Sequence, residues 1–249
     1  MIDESRVALV TGASRGLGAS MARRLAADGW TVAVNSRSGG AAADQVVDDI
    51  HAAGGSAAAF TADVTDEEAT ADLVARVTRR LGPVTALVIN ATGPQPLVAM
   101  EDLTWQTHLD QLAFFVKSPT LLVQAVLSGM KERNCGRIVQ IGSDIVDRAL
   151  PGMSAYVAAK EAQFGLTRTW ARELGPSGIT VNLVAPGWIP VERHSQVPEE
   201  ELLAYRSDVA LGRMGNPDEV AAVVAFLVSG AATFITGERI TVNGGHTLR

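Results

Sequence analysis

The chain has 249 residues, 47% of them apolar and 19% charged, which excludes a disordered tail and gives enough length for one domain with a full core. With 21 basic and 27 acidic residues the formal charge is −6, so no general attraction to nucleic-acid backbones or anionic membranes is expected. The single cysteine, Cys135, excludes an internal disulfide and fits a reducing cytoplasm.

In chain order, residues 1–6 lack the apolar run of a signal peptide. Residues 7–10 form a four-residue apolar run closed by Thr11-Gly12, which predicts a strand. A helix is predicted over 17–28 from Leu17, Met21, Ala22 and Leu25 at helical spacing, ended by Gly29. Further strands are predicted at 31–34, 57–61, 84–89, 137–141, 180–184 and 239–242, with helices at 41–53, 66–81, 102–133, 154–174 and 217–229. The longest uninterrupted apolar stretch, residues 220–228, falls short of the roughly 18 needed to cross a bilayer. Four scattered histidines and one cysteine offer no metal-ligand cluster.

Continuous apolar strands that alternate with helices imply an α/β fold. The expectation is a single doubly wound domain over 1–249, with a parallel sheet of about seven strands. Residues 188–211 break the rhythm: they are rich in Pro, Glu and Ser, with a short helix after Pro198. Placed before the last strand, they would overhang the carboxyl edge of the sheet and are read as a substrate lid.

Three motifs carry chemistry. Thr11-Gly12-Ala13-Ser14-Arg15-Gly16-Leu17-Gly18 follows a strand and opens a helix. Gly12 allows a sharp turn, Gly16 a close approach to a pyrophosphate, and Gly18 close helix–strand packing. The second strand ends in Asn35-Ser36-Arg37-Ser38, without the acidic side chain that usually meets a ribose 2′-hydroxyl. Arg37 with Ser36, Ser38 and the nearby Arg15 suits a 2′-phosphate, which favours NADP(H) over NAD(H). Tyr156 and Lys160 stand at i, i+4 on one helix face. There the ammonium can lower the phenol pKa from about 10 and fit it for proton exchange with a carbonyl or alcohol. Ser143, just past the strand 137–141, brings a hydroxyl to the same edge.

These motifs, with Asp63-Val64, Asn90-Ala91, Pro186-Gly187 and Val242-Asn243-Gly244-Gly245, make the chain resemble the short-chain dehydrogenase/reductase family, most of all its 3-oxoacyl-carrier-protein reductase-like branch. The resemblance implies a Rossmann-like sheet and hydride transfer between a nicotinamide and a ketone or secondary alcohol. It implies Tyr156 as proton donor, Ser143 as carbonyl orienter, and Lys160 holding the nicotinamide ribose and depressing the Tyr156 pKa. Asp63 and Val64 would flank the adenine, and Asn90 and Ala91 would line the cofactor. Pro186, Gly187 and Ile189 would pack on the nicotinamide. A homotetramer or homodimer is implied, built on the helices 102–133 and 154–174 and on the C-terminal strand region.

Two departures from the family pattern stand out. The usual Asn-Asn-Ala-Gly run reads Ile89-Asn90-Ala91-Thr92-Gly93. The asparagine that many relatives carry on the long helix, whose backbone holds a relay water, is missing. Counting from Trp105 puts Leu112 there and counting back from Gly136 puts Phe115, with Gln111 as a substitute relay. By position, Gln95, Asp144, Trp188 and His194 are substrate-pocket candidates. The residues aligned with carrier contacts, Asn134 and Ser177, are neutral, although Arg133 is adjacent, which tilts the reading toward a small free ketone. The competing readings are a sugar or polyol dehydrogenase and a dinucleotide-binding sensor of weak activity.

Overall fold

The computed structural model describes residues 6–248; the segment 1–5, expected to lack a signal sequence, lies outside them, as does Arg249. All seven predicted strands are present: β1 (Val7–Val10), β2 (Thr31–Ser36), β3 (Ser56–Thr61), β4 (Val84–Ile89), β5 (Gly136–Ile141), β6 (Ile179–Pro186) and β7 (Arg239–Val242). They form one parallel sheet in the order β3-β2-β1-β4-β5-β6-β7. β2 and β6 run further than predicted, so Ser36 and Pro186 are themselves strand residues.

The helices are α1 (Gly16–Ala27), α2 (Ala41–Ala52), α3 (Glu67–Leu81), α4 (Trp105–Leu112), α5 (Ser118–Glu132), α6 (Ile145–Arg148), α7 (Ser154–Leu174), α8 (Glu199–Asp208) and α9 (Pro217–Val228). In β1, Ala8 and Val10 join the core under α1, α2 and α9, with Met21, Leu25, Ile50 and Val224. Val7 and Leu9 join the opposite core under α3, α5 and α7, with Leu73, Val77, Leu122 and Leu174. Side chains alternate between faces, and both faces are covered by helices, so the strands read as unbroken apolar runs.

The predicted single helix 102–133 is in fact three pieces. A π turn over Ala113–Lys117 separates α4 from α5. Pro119, at the start of α5, has no N–H for the carbonyl four residues back, and the widened turn absorbs that gap. The run Trp105–Glu132, 28 residues long, is also apolar and long enough to cross a membrane by length and composition. Counting uninterrupted apolar residues overlooked it. Its Phe115, Leu122, Val123, Val126 and Met130 are buried within the fold.

β1 pairs with β2 on one side and β4 on the other. At this switch the chain crosses to opposite faces and leaves a crevice at the carboxyl edge of the sheet. The loops after β1, β4, β5 and β6 all open onto it.

The end of α9 nearest the sheet edge is held by charge. Asn216 accepts from the Glu219 N–H (3.1 Å) and the Glu219 carboxylate accepts from the Asn216 N–H (2.9 Å), a reciprocal cap. Arg213 first, and then the Asn216 N–H, pull the Glu219 carboxyl down to about 2 from 4.5. A depressed folded pKa means the unfolded chain takes up the proton first as pH falls. The stability lost in Glu219→Gln at neutral pH is therefore expected to close as pH drops below 4.5 toward about 2, and Asn216→Ala to cost about 1 kcal/mol. Denaturant titrations across that pH range check both.

Candidate active site

The loop between β1 and α1 is braced by the end of β4. Thr11 Oγ1 accepts from the Asn90 N–H (2.9 Å) and the Ala91 N–H (3.1 Å). Asn90 Nδ2 donates to the carbonyls of Thr11 (2.9 Å) and Gly12 (3.1 Å). Gly12 (φ 62°) and Gly16 (φ 56°) adopt the left-handed region, which a glycine enters without steric cost. A Cβ on Gly12 would stand 2.9 Å from Ala91 Cα, whereas one on Gly16 would face the Val191 side chain at 3.6 Å. The turn after β6 thus stands across the crevice from the glycine loop. Among the described residues no side chain caps the N-terminus of α1, and its first turn holds no acid. That end of the helix, with Ser14 and Arg15 beside it, presents N–H groups and partial positive charge. Leu17 packs back onto the core.

Farther along the edge, Ser36 is buried and its hydroxyl accepts from the Gly39 N–H (3.1 Å), while Arg37 and Ser38 are exposed. Asp63 Oδ1 accepts from the Thr65 N–H (2.9 Å) and Oγ1 (2.7 Å). Those Thr65 bonds, assisted by the Arg37 and Lys117 charges, hold its carboxyl below the usual range. Val64 is buried beside it.

Near the start of α7, Tyr156 and Lys160 are both buried, Lys160 at 5% exposure. Lys160 Nζ donates to the Ile141 carbonyl at the end of β5 (2.6 Å) and to Gln163 Oε1 (3.3 Å). It lies 5.8 Å from the Tyr156 ring centroid and 3.9 Å from that of Phe115. Phe115 and Tyr156 pack in a T-shaped pair with centroids 5.4 Å apart. Ser143 follows Gly142, whose N–H donates to the Val184 carbonyl (2.7 Å), so its loop is zipped to β6. The Ser143 hydroxyl accepts from the Ile145 N–H (3.2 Å), and Ile145 belongs to the apolar cluster that holds Tyr156, Phe115 and Ala159. Ser143 and Lys160 thus line one narrow crevice at the carboxyl end of β5, with Tyr156 in the apolar cluster beside Lys160.

The residues named as pocket candidates are spread more widely. Gln95 donates to Thr92 Oγ1 (3.1 Å). Gln111, expected as a substitute relay, donates instead to the Pro94 carbonyl (2.9 Å) and steadies that loop. His194 Nδ1 accepts from the Val191 N–H (3.2 Å), and its ring packs edgewise on Trp188. Ile189 is buried in the core beneath α1 and α9. Asp144 is buried, accepts from Asn243 Nδ2 (3.1 Å) and faces His246 Nδ1 at 3.6 Å; burial pushes its carboxyl up. His246 stacks on Tyr205 of α8 (4.2 Å), and the Tyr205 hydroxyl accepts from the Trp188 N–H (2.8 Å). Gly187 is wedged there: a Cβ on it would lie 2.8 Å from that of Asn243. Residues 188–211 are therefore tied to the end of the sheet through Tyr205, His246, Asn243 and Asp144. The sequence reading missed Tyr205, His246 and the Arg239 guanidinium, which pairs with Asp147 and reaches the Ser143 carbonyl at 3.5 Å.

An uncapped helix end behind a glycine loop, on a parallel sheet's switch point, fits a bound dinucleotide. The chain belongs to the short-chain dehydrogenase/reductase family and is an oxidoreductase of CH–OH and C=O groups that uses a nicotinamide cofactor. The sequence model of the family described as "Enoyl-(Acyl carrier protein) reductase" matches residues 12–247. The 3-oxoacyl-[acyl-carrier-protein] reductase FabG of Pseudomonas aeruginosa is 37% identical over 244 residues, and that of Vibrio cholerae 38% over 244, each covering 97% of both chains. Among solved structures, a dehydrogenase/reductase from Sinorhizobium meliloti superposes with a TM-score of 0.90 at 34% identity, over 98% of this chain and 95% of that one. LugOII, a promiscuous reductase that catalyses keto-reduction during lugdunomycin biosynthesis, superposes with a TM-score of 0.90 at 35% identity over 98% of each.

Proposed function

We propose that the chain is an NADP(H)-dependent ketoreductase that converts a 3-oxoacyl-type or small free ketone to a secondary alcohol. The observation that carries this reading is the Lys160 ammonium packed between the Ile141 carbonyl and two aromatic rings, one of them Tyr156. The nicotinamide, when bound, supplies the hydride. Tyr156 delivers the proton to the carbonyl oxygen, and the Ser143 hydroxyl donates a hydrogen bond that orients that oxygen and stabilises its developing charge. Lys160 fixes a positive charge beside the phenol and favours its ionised form.

Gly12, Ser14, Arg15, Gly16, Leu17 and Gly18 would hold the pyrophosphate, with Ser36, Arg37 and Ser38 on the 2′-phosphate. Asp63 and Val64 would flank the adenine, and Asn90 and Ala91 would line the cofactor. Pro186, Gly187 and Ile189 would take the nicotinamide, with Tyr156 and Lys160 on its ribose. The activity named for the Pseudomonas and Vibrio relatives supports the 3-oxoacyl type. One catalytic domain with residues 188–211 as its lid, assembled as a homotetramer or homodimer in the cytoplasm, completes the reading.

Following NADPH consumption over a panel of free ketones and 3-oxoacyl thioesters tests it: turnover of at least one is expected, and cofactor binding without turnover of any would favour a sensor. If Arg37 meets the 2′-phosphate, Arg37→Ala raises KM for NADPH about 10- to 100-fold, the loss of one charge-assisted hydrogen bond, and leaves KM for NADH nearly unmoved. An equal change with both cofactors would remove Arg37 from that role.

A further inference from the structure

The buried face of Lys160 meets an aromatic ring where the family pattern leads one to expect a polar group. Of the two positions open from the sequence, Leu112 packs in the surrounding apolar cluster, and Phe115 lays its ring against the ammonium, 3.9 Å from nitrogen to centroid. Phe115 is 2% exposed and Ala159, one residue before Lys160, is fully buried in the same cluster; its small side chain leaves room for the ring. The π turn Ala113–Lys117 brings Phe115 to this inward position. The same ring makes the T-shaped contact with Tyr156. One aromatic side chain therefore touches both partners, and the attraction of a cation for a ring face is strongest where water is excluded.

We propose that Phe115 is a positioning residue for the acid–base pair: its ring face fixes the Lys160 ammonium and its packing fixes the Tyr156 ring beside that charge. The inference rests on the acid–base reading of Tyr156 and Lys160 given above. The ring shares the job with the Ile141 carbonyl and Gln163 Oε1, which accept from Nζ. The other charged groups nearby are Glu161 of α7 and Arg239 of β7, which line a narrow crevice with Lys160 and Ser143, Asp147 of α6, paired with Arg239, Asp144 after β5, and Lys117 at the end of the π turn. All of them are unaltered in the variants below, so a change in titration reports the ring.

The test replaces Phe115, by nonsense suppression, with phenylalanines carrying one, then two, then five ring fluorines. Fluorination drains the negative face of the ring at nearly constant volume, so the fold is retained. A more weakly held ammonium stabilises the phenolate less, so Tyr156 should ionise at progressively higher pH. Reduction needs the protonated phenol, and its alkaline limb should rise in step. About one pH unit, a tenfold change, is expected across the series. Phe115→Leu should match the most fluorinated ring; if the leucine variant does not fold, the fluorinated series still decides. Phenol ionisation is read by ultraviolet absorbance in cofactor-free enzyme and assigned with Tyr156→Phe, since the only other tyrosine is Tyr205, raised by burial. An ionisation that is low yet fixed across the series, with only the melting temperature changing, overturns the role of Phe115 alone. An ionisation near the ordinary value of about 10 in the unmodified enzyme overturns the acid–base reading as well.

Discussion

Replacing Tyr156 with phenylalanine should lower kcat for ketone reduction about 10²- to 10⁴-fold, the range supplied by a positioned general acid, with KM for NADPH rising no more than about tenfold, the loss of one ribose hydrogen bond. The substitution removes one oxygen and keeps the ring, so the T-shaped packing on Phe115 at 5.4 Å survives. The Lys160 bonds to Ile141 and Gln163 also survive. Neither the fold nor the glycine loop depends on the hydroxyl, and a large loss of turnover therefore isolates proton delivery from binding. Steady-state kinetics with a turned-over ketone, alongside a fluorescence titration of NADPH, makes the measurement. A kcat within tenfold of the wild type would mean that another group delivers the proton.

The second large effect is expected at Gly18. A Cβ there would stand 2.7 Å from Asn90 Nδ2 and 2.8 Å from Ala13 Cα, and closer still to the Gly12 carbonyl. None of these is a flexible tip: the amide is held by the carbonyls of Thr11 and Gly12, and the others are backbone. Gly18→Ala must push α1 away from the end of β1 or break the Asn90 brace. A loss of about 2–3 kcal/mol is expected, the upper part of the overpacking range, together with loss of measurable NADPH binding. Gly16→Ala provides the contrast. The nearest atoms to its Cβ belong to Val191, at 3.6 Å, an ordinary contact, so its cost in stability is the left-handed backbone, roughly 1 kcal/mol. Urea unfolding distinguishes the two, and equal losses of stability would mean that close packing at Gly18 is not what seats the helix.

The parts of the fold that were legible were those written in consecutive residues. β1 is readable because Val7 and Leu9 serve one core and Ala8 and Val10 the other, leaving no polar interruption. The Tyr156–Lys160 pair is readable because four residues make one helical turn. Contacts between distant residues were not. The bond from Asn243 to Asp144 spans 99 positions and that from Arg239 to Asp147 spans 92, and nothing local announces either. Phe115 was half legible: periodicity places it on a helix, but its facing direction depends on a π turn that shifts every later side chain. Gln111 misled because a buried amide serves a loop carbonyl as readily as a proton relay. The brace that Asn90 gives the glycine loop, from its amide to the Thr11 and Gly12 carbonyls, was not legible, since it joins residues 78 and 79 positions apart.

The Asn90 brace also governs when binding competence arises as the chain acquires its structure. It joins residues separated by 79 and 78 positions, across the β1–β4 pairing, and such non-local closures come late and slowly. A partly organised species containing only β1, β2 and β3 would carry the glycine sequence without the brace that shapes it. Dinucleotide would then favour the fully assembled protein over such a species by mass action, so adding it during renaturation raises the yield of the finished state without hastening the early steps.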